Sequence, residues 1–184
     1  MMPHPVESVC VYCGSRHGDD LGFTHEARAL GKGVAERGMR LVYGAGEVGL
    51  MGEVARAAMQ AGGQTIGVIP KHILDLEVGS RDLTALIVTD TMHERKKIMF
   101  ANADAVVALP GGAGTLDELI EVLTWRQLGL HEKPLIVMNT GGFWDPMLAL
   151  IDHVIARGFA NESLRGFLTV TNDAEETLAL LGRL

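Results

Sequence analysis

The sequence predicts an α/β domain of three layers, a parallel sheet of about seven strands covered on both faces by helices. Three observations carry that expectation. Short β-branched runs alternate with longer stretches of helical period, the order that joins parallel strands through helical crossovers. Runs such as Val106-Val107-Ala108-Leu109 are apolar at every position, as strands buried on both faces are. Glycines close several helical stretches, at Gly38, Gly62-Gly63, Gly129 and Gly158.

Taken in order, a strand at 8–12 leads to a helix at 23–37, closed by Gly38. A strand at 40–43 leads to a helix at 50–61, closed by Gly62-Gly63. Strands at 65–69 and 85–88 precede a helix at 92–102, which Thr91 and Glu94 open at the spacing of a capping box. The strand at 105–109 precedes a helix at 116–128, ended by Gly129. A strand at 135–138, a helix at 146–157, a strand at 167–170 and a helix at 174–181 complete the series. No linker, repeat or low-complexity tract interrupts it, so residues 1–184 are read as one domain.

Composition narrows the partners. A net charge of -7 disfavours a broad nucleic-acid or membrane surface, which needs a concentrated basic face. A small anion remains compatible with the local cluster Arg95-Lys96-Lys97, because a pocket responds to its nearest charges. The N-terminal residues lead into strand-like sequence without a signal-peptide pattern, and no apolar run is long enough to span a bilayer. A cytoplasmic protein is expected. Cys10 and Cys13 have the spacing of a redox pair but fall on a strand, where residues three apart point to opposite faces, so buried thiols in a reducing compartment are expected. No metal and no cofactor are expected.

In a parallel sheet, ligands bind outside the carboxyl ends of the strands. Three loops there are glycine-rich: Gly14-Ser15 after the first strand, Gly44-Ala45-Gly46-Glu47-Val48-Gly49 after the second, and Pro110-Gly111-Gly112-Ala113-Gly114-Thr115 after the fifth. The second matches G-x-G-x-x-G, but it follows the wrong strand, and residues 64–71 lack the acidic residue that holds a ribose in NAD sites. Tight turning and close helix–strand approach explain it better, with one of its glycines lining a nucleotide pocket. The third loop frees backbone N–H groups at a helix N-terminus, where phosphate is favoured. No lysine precedes Thr115, so this is not a triphosphate-binding Walker loop, and a monophosphate is the simpler guest. A structural alternative makes Thr115 the helix N-cap and Glu118 its capping-box partner.

Beyond that loop, Leu116, Leu119, Ile120 and Leu123 are expected in the core, which gathers Asp117, Glu118, Glu121 and Thr124 on the other side. A solvated acidic face would account for these. The basic start of the helix at 92–102 would lie across a cleft from them. His93-Glu94 begins a zinc motif, but Lys97 stands where its second histidine belongs, leaving His93 an exposed helix residue.

Met92-His93-Glu94-Arg95-Lys96 followed by Pro110-Gly111-Gly112-Ala113-Gly114-Thr115-Leu116-Asp117-Glu118 resembles the paired signature of the LONELY GUY (LOG) family of cytokinin riboside 5′-monophosphate phosphoribohydrolases. The resemblance extends to Tyr12-Cys13-Gly14-Ser15, Gly49-Leu50-Met51-Gly52, Val68-Ile69-Pro70-Lys71 and Leu123-Thr124-Trp125. It implies a Rossmann-like fold, a homodimer with its sites near the subunit interface, and cleavage of AMP-type nucleotides to free base and ribose 5-phosphate. Carried over by position, it makes Arg95 and Glu118 the catalytic pair. Substrate contacts would come from Gly14, Ser15, Gly46, Met92, Lys96, Gly111, Gly112, Ala113, Gly114, Thr115, Glu121 and Thr124, with Glu77 added by ungapped spacing from Pro70-Lys71. Ala45 and Glu47 depart from the Gly and Ser frequent in the family.

Glycosidic cleavage passes through an oxocarbenium-like state that needs negative charge near C1′ and an oriented water. Glu118 would supply both, while Arg95 positions substrate and pairs with Glu118 or Glu121. The alternative is a nucleotide-binding or carrier protein of the same fold without catalysis.

Overall fold

A computed structural model describes residues 5–74 and 83–184. Its strands are β1 (Ser8–Tyr12), β2 (Arg40–Tyr43), β3 (Thr65–Pro70), β4 (Ala85–Thr89), β5 (Ala105–Ala108), β6 (Leu135–Met138) and β7 (Leu168–Thr171). They form one sheet in the order β4-β3-β2-β1-β5-β6-β7, and each neighbouring pair is parallel. The helices are α1 (Leu21–Glu36), α2 (Gly49–Gln60), α3 (Lys71–Leu74), α4 (Met92–Ala101), α5 (Ala113–Gln127), α6 (Asp145–Ala156), α7 (Ser163–Gly166) and α8 (Ala174–Leu181), with a 3-10 turn at Thr140–Gly142.

The sheet separates two cores. On one face Val9, Val11, Tyr43 and Leu109 pack against Leu30 and Val34 of α1, Val54 of α2 and Leu178 of α8. On the other, Tyr12, Val42, Val106 and Val137 pack against Met99 of α4, Leu119 and Val122 of α5 and Leu148 of α6. The fold is the expected Rossmann-like sandwich. Strand alternation sends Cys13 into the first core and Cys10 into the second, and both are free thiols. Burial, the largest cause in each, pushes both far above the ordinary thiol range, the reverse of what a redox pair requires. Among the described residues no helix is long and apolar enough to cross a membrane.

Helix α1 meets α2 so closely that a Cβ on Gly31 would stand 2.1 Å from the carbonyl oxygen of Val54. Backbone on one side and a helix on the other leave no route of relaxation. Gly31→Ala should therefore destabilise the protein by about 2–3 kcal/mol in urea unfolding, despite the better helix propensity of alanine.

Most boundaries fall within two residues of expectation, and the Thr91–Glu94 capping box forms as the spacing requires. Helix α5 differs. It starts at Ala113, three residues early, with Gly112 as a cap that offers no side chain. Thr115 is thus inside the first turn and buried, not the N-cap, and no capping box involves Glu118. The expected core face is also corrected: Leu119 and Leu123 are buried together with Thr115 and Val122, while Leu116 and Ile120 lie in solvent. Apolar residues occupy two faces of this helix, so periodicity alone cannot say which one meets the sheet. Helices α3 and α7 and the 3-10 turn lie in stretches too short to show a period.

Candidate active site

The order of strands reverses between β1 and β5, which sends their following loops apart and opens a crevice at their carboxyl ends. Gly14 N–H donates to the carbonyl of Pro110 at 3.0 Å and ties the two loops together at its base. Gly111 must be glycine here, because a Cβ would stand 2.1 Å from Thr115 Oγ1 and 2.9 Å from the nitrogen of Gly14.

A cavity of about 290 Å³ occupies one side of the crevice, lined by Gly14 and Ser15 after β1, Gly44 and Gly46 after β2, Arg95 of α4, and Gly112, Ala113, Gly114, Thr115 and Glu118 of α5 and its cap. Cys13, Met51 and Ile73 complete the wall. Because α5 begins without a side-chain cap, the N–H groups of its first turn have no intrahelical partner and border this space. A dianionic phosphate suits that end.

Arg95 is buried, and backbone oxygens fix its orientation. Its Nε donates to the carbonyl of Val68 in β3 at 3.0 Å, and one terminal nitrogen, Nη2, donates to the carbonyl of Gly44 at 2.7 Å. The other, Nη1, has among the described residues only the sulfur of Met92 at 4.0 Å. Gly44 makes this seat possible, since a Cβ there would stand 1.9 Å from Nη2. Its role was not visible in the sequence, where it read only as the first glycine of a turn.

Glu118, one turn into α5, borders the same cavity partly buried. Burial raises its carboxyl to about 7, opposed mainly by the charge of Arg95 and reinforced by Asp117. Such a carboxyl exchanges a proton near neutrality, the property of a catalytic base. The expected pairing is corrected, however. Among the described residues Arg95 makes no ion pair with Glu118 or Glu121; the cross-cleft partner is Lys96, whose Nζ lies 2.8 Å from Asp117 Oδ2 and 3.2 Å from Glu121 Oε1. Burial alone would lower the Lys96 ammonium, but the bonds from Asp117 and Glu121 outweigh it and the net direction is up. The guanidinium of Arg95 is held by carbonyls deeper in the sheet, which is why it does not reach across.

The remaining expected contacts separate from the cavity. Gly111 lines an adjoining space of about 290 Å³ with Phe23, Leu50 and Phe143, which shares Gly14, Ser15 and Gly112 with the first. Met92, Lys96, Glu121 and Thr124 line neither space, and the Thr124 hydroxyl donates to the carbonyl of Ile120 at 2.7 Å. Glu77 lies outside the described residues. His93 is exposed, as its position in the helix implies. Sequence reasoning missed Met51 and Ile73, whose apolar side chains carry no signal that separates a cavity wall from a core.

Comparison with known proteins follows the same lines. A family model described as "Possible lysine decarboxylase" matches residues 51–181. The chain is 45% identical over 173 residues to the cytokinin riboside 5′-monophosphate phosphoribohydrolase LOG of Oryza sativa subsp. japonica, covering 94% of this chain and 72% of that one. It is 40% identical over 176 residues to the cytokinin riboside 5′-monophosphate phosphoribohydrolase of Rhodococcoides fascians, covering 95% and 89%. Among solved structures, the molybdenum cofactor carrier protein of Chlamydomonas reinhardtii superimposes with a TM-score of 0.75 over 98% of both chains at 24% identity, a likeness of fold alone.

Proposed function

The chain belongs to the LONELY GUY (LOG) family of cytokinin riboside 5′-monophosphate phosphoribohydrolases, and from that premise we propose that its crevice cavity is where the base–sugar bond of an adenosine 5′-monophosphate is hydrolysed. The protein is a nucleoside 5′-monophosphate N-glycosidase of the cytokinin-activating type. One observation carries the choice of site: Arg95 and Glu118, from different helices, border one cavity with the uncapped N-terminus of α5.

In this reading the phosphate rests on the amides of Gly112 to Thr115 and the ribose lies over Glu118. The C1′–N9 bond breaks with its electron pair leaving on the base, which takes up a proton. Water adds at C1′ as its own proton passes to the ionised carboxyl of Glu118, whose charge also steadies the ribosyl cation. Arg95 orients the substrate through Nη1, its one nitrogen without an oxygen partner among the described residues. The products are free base and ribose 5-phosphate. A lysine decarboxylase would need a lysine placed to hold pyridoxal phosphate, and among the described residues no lysine lines this cavity.

The tested substrates are AMP and N6-isopentenyl-AMP, incubated with the purified protein and resolved by chromatography. Free base is the expected result; binding without release of base would support a carrier instead.

We further propose a cytoplasmic homodimer that binds no nucleic acid. The acidic net charge supports the last point, and the two free thiols suit a reducing compartment. For the dimer, Leu116 and Ile120 stand four residues apart on α5 and Leu128 caps its end, all three exposed, with Met92 of α4 exposed as well. A partner across that surface would bring Lys96, Glu121 and Thr124 toward an interface. Sedimentation should give twice the 19.7 kDa monomer mass, and Ile120→Asp should shift it toward monomer.

A further inference from the structure

Glu53 lies one turn inside α2, outside the nucleotide cavity, with a buried carboxylate that binds two arginines and a histidine ring. Arg28 Nε of α1 donates to it at 2.6 Å and Arg56 Nη2 at 2.7 Å, while His17 Nε2, in the loop after β1, stands 3.2 Å away. The second nitrogen of Arg56 donates to the carbonyl of Glu47, in the loop after β2, at 2.8 Å. One carboxylate is therefore linked to both loops that supply Gly14, Ser15, Gly44 and Gly46 to the cavity.

The backbone of α2 reinforces those links. Met51 N–H donates to the carbonyl of Gly14 at 3.2 Å and Leu50 N–H to that of Arg16 at 3.4 Å. A Cβ on Gly49 would stand 2.2 Å from the carbonyl carbon of Ser15, and one on Gly52 would stand 2.0 Å from the oxygen of Glu47. The helix start thus touches both loops, and the Glu53 cluster closes over them from outside. The bond from Arg28 is the main reason that its carboxyl is held at about 2, so the charge persists at any working pH.

We propose that Glu53 is a positioning residue for the reaction: it sets the two glycine loops of the cavity wall through His17 on one side and Arg56 with Glu47 on the other, without touching substrate. The inference rests on the reading of the cavity as the monophosphate site. Its partners are substantially solvent-exposed, with Arg28 at 61%, His17 at 53% and Arg56 at 46%. Ion pairs of that kind add little to global stability, so loop geometry is where the cluster should be felt.

The test compares AMP hydrolysis and thermal unfolding of the full chain with those of Glu53→Gln, which keeps the shape but loses the charge. KM should rise roughly five- to tenfold while kcat stays within about twofold, because the loops bind the ground state and the transition state alike. His17→Ala removes only the first loop's link at an exposed position and should raise KM by about threefold, so the idea stays testable if Glu53→Gln does not fold. An unchanged KM in either folded variant, or a fall in kcat at constant KM, overturns the clamp. Inactivity of the unmodified protein would overturn the functional reading, and the clamp with it.

Discussion

Glu118→Gln should lower base release from AMP by roughly 10²–10⁴-fold while leaving AMP binding measurable, because the amide keeps the shape of the carboxyl but can neither take a proton from water nor supply negative charge at C1′. The same substitution should make the protein more stable in alkali. In the folded chain the carboxyl titrates at about 7, against 4.5 when unfolded. Below 4.5 both states hold the proton and nothing is lost. As pH rises past 7 the unfolded chain has released its proton freely while the folded chain bears a buried charge, at a cost on the order of 2–3 kcal/mol. Urea unfolding should therefore find Glu118→Gln more stable than the parent at pH 8 and equal to it at pH 4.5. Activity of the parent should fall as pH drops through 7, where the base becomes protonated. A variant that keeps most of its activity removes Glu118 from the chemistry.

Gly44→Ala should lower kcat/KM by about 100-fold although it adds one methyl group at a position that touches no reacting atom. The new Cβ would overlap Arg95 Nη2, and the guanidinium cannot simply withdraw, since it is bonded to the carbonyls of both Val68 and Gly44. Either the β2–α2 loop or the arginine must shift, with about 1–3 kcal/mol lost in stability. Steady-state kinetics beside urea unfolding would measure both. Activity near that of the parent would mean that the placement of Arg95 is not needed.

Much of this molecule is legible in its residues, for identifiable reasons. A strand such as β5, apolar at each position, can satisfy its sequence only between two layers, so the parallel sheet follows from Ala105–Ala108 and its equivalents. Arg95 and Glu118 were placed by a motif whose spacing the fold preserves, and they do border one cavity. What stayed hidden depends on contacts between distant segments. Thr115 looks like a cap because nothing local says that the helix can start on Gly112 with bare amides. Leu116 and Ile120 look like core because exposure of an apolar stripe depends on the surface that meets it. Lys96, not Arg95, pairs with the acidic helix because two carbonyls elsewhere in the chain hold the arginine. Ala45 illustrates the same limit: it takes a φ of 60°, a conformation that glycine adopts without strain, and sequence could note only that it departs from the family's usual residue.

The proposed chemistry requires phosphate on the first turn of α5 with the sugar over Glu118. A crystal structure of Glu118→Gln with AMP tests it most directly. Phosphate oxygens are expected on the N–H groups of Gly112 to Thr115, with C1′ roughly 3–4 Å from the side chain at position 118, within reach of one water. AMP lodged instead in the adjoining space beside Phe23 and Phe143, with the residue at 118 facing no sugar, would contradict it.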